Sequence, residues 1–114
     1  MPRSNTTSKT IPFPVEAALK RLGANIALAR KRRRLRQSEL AAKAGITHVT
    51  LRRIERGSPT SAIGAYFTLL WALGLEAEFR DIASPDRDEV GKQAERARTP
   101  RRARPSASVF SDEF

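Results

Sequence analysis

The side chains that could do chemistry are concentrated in one stretch, where cationic and hydrogen-bonding groups recur at helical spacing. At about 100° per residue, one helical side holds His48, Val49, Arg52, Arg53 and Arg56. Guanidinium groups recognise phosphates and base edges. The chain has one histidine, no cysteine, and no Gly-rich phosphate loop or pair of spaced carboxylates. We therefore expect a binding surface with no catalytic residue, no cofactor and no metal; His48 is interpreted as a base reader, with a capping or surface role as the alternative.

Two short helices joined by a tight turn would position this surface. The first spans residues 37–44, and Gly45 can take the left-handed backbone that ends a helix. Thr47 is a candidate N-cap for the second helix, whose apolar side holds Leu51 and Ile54. A short helix with an apolar back and a basic front, held by a preceding helix, is the recognition element of a helix-turn-helix.

The distribution of charge supports contact with DNA. The net charge of the 114-residue chain is +10. Residues 15–80 contain 13 Lys/Arg against five Asp/Glu, whereas residues 81–114 contain seven of each and the first 14 carry +2. The basic excess thus coincides with the predicted helix-turn-helix, as expected for a surface that faces phosphates.

A run of five cations, Arg30 to Arg34, ends the first predicted helix, Val15–Arg34. These cations suit the C-terminal end of a helix dipole and could equally contact phosphates beside the recognition helix. Five consecutive residues wrap around a helix, so they cannot all face DNA. We expect Arg30 to turn inward and pair with Glu55. Arg36 stands where a Ser or Thr cap is expected before Gln37, so the helix predicted over residues 37–44 lacks the usual N-cap residue.

The segment after the recognition helix predicts a further helix and then a strand. Ala62–Leu73 has apolar residues at helical spacing, and Trp71 fits either a core edge or an interface with a second subunit. Leu75–Arg80 alternates apolar and charged residues, which is typical of a strand. A single strand needs a partner for its backbone, and the simplest partner is its copy in another subunit. The predicted dimer interface comprises Leu75, Ala77, Phe79 and Trp71.

The predicted fold class is all-α: a lambda-repressor-like helix-turn-helix domain of four to five helices with one C-terminal β-strand. We predict a disordered arm over residues 1–14, a DNA-binding and dimerisation domain over 15–83, and a flexible basic tail over 84–114 with a possible short helix near 88–97. No apolar run approaches the roughly 20 residues of a membrane span, and no apolar core of a signal peptide is present. We therefore expect a cytoplasmic protein without a membrane partner.

Several segments resemble a known family. The sequence reads LGANIALARKRR at 22–33, QSELA at 37–41, AGI at 44–46 and IERG at 54–57. These segments resemble the Cro/repressor-type, or Xre-like, DNA-binding domain. Residues 66–75, 81–91 and 98–102 are similar to HipB-type antitoxins, which are encoded beside HipA-type serine/threonine kinase toxins. The resemblance spans about residues 20–104.

The resemblance implies functions that spacing alone does not. It implies a homodimer with paired C-terminal strands, palindromic operators in the protein's own promoter, a bacterial and nucleoid-associated location, and a kinase toxin that is held inactive. The base readers implied by the family are Thr47, His48, Val49 and Arg52. The expected phosphate contacts are Arg32, Arg33, Gln37, Thr50, Arg53 and Arg56.

The C-terminal end and the biological role leave alternatives open. Val109, Phe110 and Phe114 either belong to a tail without function or dock on the toxin. The first hypothesis is a DNA-binding antitoxin and autorepressor. The second is a stand-alone Xre-like repressor without a toxin, and the third is an interaction protein that inhibits an enzyme and binds DNA only incidentally. The neighbouring gene distinguishes the first from the second, and specific binding to the protein's own promoter argues against the third.

Overall fold

The computed structural model describes residues 10–98, which form six α-helices, a 3-10 turn and no strand. The all-α class is therefore confirmed. The helices are α1 (Phe13–Arg32), α2 (Gln37–Ala44), α3 (His48–Glu55), α4 (Ile63–Ala72), α5 (Ala77–Arg80) and α6 (Glu89–Arg98). The chain divides into two compact units, Met1–Arg80 and Asp81–Phe114.

Four helices of the first unit share one apolar core. Its fully buried large side chains are Ile26 from α1, Leu40 from α2, Leu51 and Ile54 from α3, and Leu69 from α4. The helices α1 and α2 both pack against α3, and α2 also packs against α4. Because two of the five residues belong to the eight-residue α3, that short helix is held by its buried side.

A close backbone approach at Gly23 joins α1 to the end of α3. A Cβ atom at Gly23 would lie 2.8 Å from both the carbonyl oxygen of Glu55 and the backbone nitrogen of Gly57, and closer still to the carbonyl oxygen of Ile54. No other residue fits there without moving backbone atoms. The absence of a side chain at Gly23 thus allows the backbone of α1 to lie this close to the end of α3.

The loop before α4 is closed by a serine and a buried tyrosine. The Ser58 hydroxyl accepts hydrogen bonds from the backbone N–H groups of Thr60 and Ser61, at 3.2 and 3.1 Å. The Tyr66 hydroxyl donates to the Ser58 carbonyl oxygen at 2.7 Å, and burial raises the pKa of Tyr66. This hydrogen bond connects α4 to the loop that follows α3.

The strand predicted at Leu75–Arg80 is wrong in this structure, where α5 occupies most of the segment. The same alternation places Leu75 and Phe79 four residues apart, and both pack against the core. The rings of Phe79 and Phe67 stack with centroids 4.4 Å apart. Within one chain a lone strand leaves backbone groups unpaired, whereas a helical turn satisfies them locally.

The second unit contains the short helix expected near residues 88–97. The Pro85–Arg87 3-10 turn precedes α6, and the Asp88 carboxylate accepts a hydrogen bond from the backbone N–H of Gly91 at 2.9 Å. An acidic side chain at this position caps a helix start. The segment predicted as a flexible tail from residue 84 is therefore helical over Glu89–Arg98, and α1 begins at Phe13, within the range 1–14 that was predicted as an arm.

Candidate nucleic-acid interface

The turn between α2 and α3 has the backbone that its sequence predicts. Gly45 is left-handed with φ of 72°, and the N–H of Ile46 donates to the carbonyl oxygen of Ala41 at 3.0 Å. Thr47 caps α3, because its hydroxyl accepts a hydrogen bond from the backbone N–H of Thr50 at 3.1 Å. The predicted first helix, turn and cap are confirmed.

Arg36 is an unusual N-cap residue for α2, and a side chain inside the helix accepts a hydrogen bond in its place. An arginine side chain has no acceptor, so Arg36 cannot cap the first N–H groups. The Glu39 carboxylate instead accepts from the Arg36 backbone N–H at 2.7 Å, and this hydrogen bond lowers the pKa of Glu39. Half of a capping box thus replaces the missing Ser or Thr.

The outer side of α3 is exposed, as the helical wheel predicts. His48, Val49, Arg52, Arg53 and Arg56 are all exposed. Within residues 10–98, the three guanidinium groups make no side-chain hydrogen bond and no ion pair, so their donors remain available to a ligand.

The inner edge of α3 is held by a chain of hydrogen bonds that begins on α1. Arg30 donates from Nε to Glu55 Oε2 at 2.7 Å and from Nη2 to Oε1 at 3.0 Å. Its Nη1 donates to the Leu35 carbonyl oxygen at 3.0 Å. The predicted inward pairing of Arg30 with Glu55 is therefore confirmed, and their side chains are only 10% and 7% exposed.

Gln37 continues this series of hydrogen bonds from Glu55 to the protein surface. Its Nε2 donates to Glu55 Oε1 at 2.8 Å, and its Oε1 lies 3.0 Å from His48 Nε2. Burial raises the pKa of Glu55, but hydrogen bonds from Arg30 and Gln37 and the nearby positive charges outweigh it, so that the pKa lies below its ordinary value. The carboxylate is therefore ionised at neutral pH.

The side chains expected to contact phosphates differ in how many hydrogen bonds they already make within the protein. Arg32 is exposed without a protein partner in the described range, whereas Arg33 Nη1 donates to the Ala29 carbonyl oxygen at 2.8 Å. The Thr50 hydroxyl accepts from that of Thr47 at 2.9 Å, and both ends of the Gln37 amide are occupied. Arg53 and Arg56 line a shallow depression with Lys20 of α1, a cation that sequence reasoning missed.

The residues predicted at a dimer interface lie in two environments. Trp71 is 56% exposed and Ala77 is exposed, whereas Leu75 and Phe79 are half-buried against the core of their own chain. The candidate toxin-docking residues, Val109, Phe110 and Phe114, lie outside the described residues.

The described part of the chain contains neither a cluster of metal ligands nor a helix that could span a membrane. Residues 10–98 contain no group of three or more His, Asp or Glu side chains that could hold a metal ion. None of the helices in that range combines the length and the apolar character that crossing a membrane requires.

The comparison with known proteins agrees with this geometry. Residues 26–64 match the family model described as Helix-turn-helix, from the middle of α1 to the start of α4. No curated protein and no solved structure matches the chain significantly. The matched segment contains the turn, the capped recognition helix and the Arg30–Glu55 pair. Residues 26–64 are therefore similar to a helix-turn-helix domain of the Xre/Cro-like type, and the match supports binding of double-stranded DNA by a transcription regulator.

Proposed function

We propose that this protein is an autorepressing antitoxin, which binds a palindromic operator as a homodimer and neutralises a HipA-type serine/threonine kinase. The observation that carries the DNA-binding part is the exposed side of α3 and its C-cap, where the guanidinium groups of Arg52, Arg53 and Arg56 have no partner within residues 10–98. The resemblance of residues 66–75, 81–91 and 98–102 to HipB-type antitoxins supports the antitoxin part. A stand-alone repressor without a toxin is equally compatible with the helix-turn-helix match.

The roles proposed for individual residues separate base contacts from phosphate contacts. We expect His48→Ala and Arg52→Ala to reduce discrimination between operator and random DNA, because a good base contact is worth about 1–3 kcal/mol. We expect Arg32→Ala or Arg53→Ala to weaken binding to all sequences and to reduce the salt slope by about 1.

Fluorescence anisotropy with operator and random duplexes over a salt series measures both effects. Arg80→Ala is the matched control, since Arg80 is an exposed cation on α5, outside the candidate interface, and its ion pair is with the exposed Glu76. The assignment fails if Arg53→Ala alters specificity while Arg52→Ala and His48→Ala do not.

The proposed homodimer follows from one recognition helix per chain and two half-sites about one helical turn apart. The exposed Trp71 and Ile63 of α4 are apolar groups that a second subunit would cover. We expect Trp71→Ser to weaken dimerisation with little loss of monomer stability, whereas Phe79→Ser destabilises the monomer because its ring stacks on Phe67. Sedimentation that shows only monomer at micromolar concentration, with and without operator, contradicts the dimer.

The kinase partner is tested by truncation and by the neighbouring gene. Removal of residues 105–114 should leave operator binding within about twofold, because base and phosphate contacts lie in the first unit. It should weaken the complex with a co-encoded kinase. A kinase-like reading frame beside this gene favours the antitoxin, and its absence favours the stand-alone repressor. If the truncated chain neutralises the kinase fully, Trp71 and the surface around α4 become the expected docking site.

A further inference from the structure

We propose that Gln37 fixes the tautomer of His48, so that His48 presents the Nδ1 lone pair to DNA and selects a base that carries an amino group in the major groove. The tautomer is a property of the free protein. The base contact rests on the proposed DNA-binding function. Gln37 is then a positioning residue, in place of the phosphate contact expected from the sequence.

The first step is the charge of Glu55, the residue with the largely buried side chain from which the hydrogen bonds lead to His48. A guanidinium group has donors and no acceptor, and Arg30 directs two of its donors at the two Glu55 oxygens. The pKa of Glu55 lies below its ordinary value, so the group is a carboxylate at neutral pH. An ionised carboxylate only accepts hydrogen bonds.

The second step is the orientation of the Gln37 amide. Its nitrogen lies 2.8 Å from Glu55 Oε1. The opposite orientation would bring the amide oxygen against a carboxylate oxygen, which places two acceptors in contact without a proton. The NH₂ group therefore faces Glu55, and Oε1 faces outward to His48.

The third step is the proton on His48. Gln37 Oε1 lies 3.0 Å from His48 Nε2, and a carbonyl oxygen can only accept, so Nε2 carries the proton. In the neutral imidazole the other nitrogen, Nδ1, is then an acceptor. His48 is exposed, and Nδ1 has no hydrogen-bond partner within residues 10–98.

An acceptor at this position distinguishes bases. In the major groove adenine N6 and cytosine N4 donate, whereas guanine N7 and O6 and thymine O4 accept. The base opposite His48 is therefore adenine or cytosine. Because one good hydrogen bond contributes about 1 kcal/mol, loss of that amino group weakens binding about fivefold.

The tautomer is measured by ¹⁵N NMR of the imidazole at alkaline pH in the full chain, produced without a polyhistidine tag. His48 is the only histidine, so its two nitrogens need no assignment among others. We expect the proton on Nε2 alone, and both tautomers in Gln37→Met. The control is Gln93→Met, an exposed glutamine on α6. A proton mainly on Nδ1, or the same tautomer distribution in Gln37→Met as in the unaltered chain, overturns the inference.

The base contact is measured by selection from a randomised duplex library with the unaltered chain, His48→Ala, Gln37→Met and Gln93→Met. We expect one position to prefer adenine or cytosine by about fivefold, to lose that preference in His48→Ala, to keep a weaker preference in Gln37→Met, where Nδ1 is the acceptor in only part of the molecules, and to be unchanged in Gln93→Met. Replacing that base with purine or pyrimidin-2-one, which lack the amino group, should cost the unaltered chain about fivefold and His48→Ala nothing.

The outcomes separate this inference from the function on which it rests. A guanine or thymine preference at that position, or a selected site that His48→Ala leaves unchanged, overturns this inference alone. A library that returns no preferred sequence overturns the proposed function and the base contact together, whereas the tautomer is still decided by NMR.

Discussion

Replacing Arg30 with methionine tests the buried chain of hydrogen bonds most directly. The substitution removes two hydrogen bonds to Glu55 and one to the Leu35 carbonyl oxygen. It leaves a carboxylate whose side chain is 7% exposed with Gln37 as its remaining donor. Breaking a buried ion pair from one side costs about 3–5 kcal/mol. This is a large part of the roughly 5–15 kcal/mol by which a domain is stable.

Urea and thermal unfolding followed by circular dichroism measure this loss. In a domain of this size each kcal/mol lowers Tm by about 4–8 °C, so we expect a fall of at least about 12 °C. Arg80→Met is the matched control, because the Arg80 and Glu76 side chains are 65% and 52% exposed. We expect the control to change the free energy of unfolding by no more than about 0.5 kcal/mol.

The double variant Arg30→Met/Glu55→Leu separates the lost attraction from the buried charge that remains. We expect it to be more stable than Arg30→Met alone, because no unpaired carboxylate is left in the core. The reasoning is wrong if the double variant loses as much free energy of unfolding as the single variants Arg30→Met and Glu55→Leu lose together. That result would mean that the two side chains stabilise the domain through packing and not through their charges.

The pH dependence of Arg30→Met has a definite sign. In the unaltered chain the pKa of Glu55 is lowered, so its contribution to stability is present above the unfolded value of about 4.3 and is lost as pH falls through the folded pKa. Without Arg30, two of the causes that lower the pKa of Glu55 are lost, so its pKa lies higher than in the unaltered chain, and a fall in pH destabilises the variant less than it destabilises the unaltered chain. The stability difference should therefore be smaller at about pH 4 than at about pH 7. An equal difference at both pH values, or a loss no larger than that of Arg80→Met, refutes the argument.

Three further substitutions test the positioning of the recognition helix, each by urea unfolding. Gly23→Ala should cost at least about 1–3 kcal/mol, because its Cβ would meet α3 backbone, whereas Gly64→Ala has open space and should be neutral or stabilising. Thr47→Ala should cost about 1 kcal/mol through loss of the α3 cap. Tyr66→Phe should cost about 1 kcal/mol through its hydrogen bond to the Ser58 carbonyl oxygen, and no loss would show that this bond merely replaces one to water.

The elements that were predictable from the sequence are those with strong local signals. The 3.6-residue period placed Leu51 and Ile54 inside, and the Gly45 and Thr47 signals located the turn and the cap. The inward position of Arg30 was predictable because Arg30 directly follows Ala29, which with Leu19, Leu22 and Ile26 forms the apolar side of α1.

Two features were not predictable from the sequence, and each has a physical cause. Six residues that alternate in polarity also place pairs four residues apart, so Leu75–Arg80 satisfied both periods, and the contact of Phe79 with Phe67 decided for the helix. The orientation of Gln37 depends on an ion pair formed by residues of two other helices, which no local pattern contains.

The position of Trp71 has a consequence for spectroscopy. It is the only tryptophan in the chain, and it is 56% exposed. An indole in water emits at longer wavelength than one in apolar surroundings, because water dipoles reorient around the excited state. Unfolding will therefore change the emission maximum little, whereas any protein that covers this side of α4 will shift it to shorter wavelength. Intrinsic fluorescence is thus a label-free signal of docking at this surface, read by dilution for a second copy and by titration for another protein.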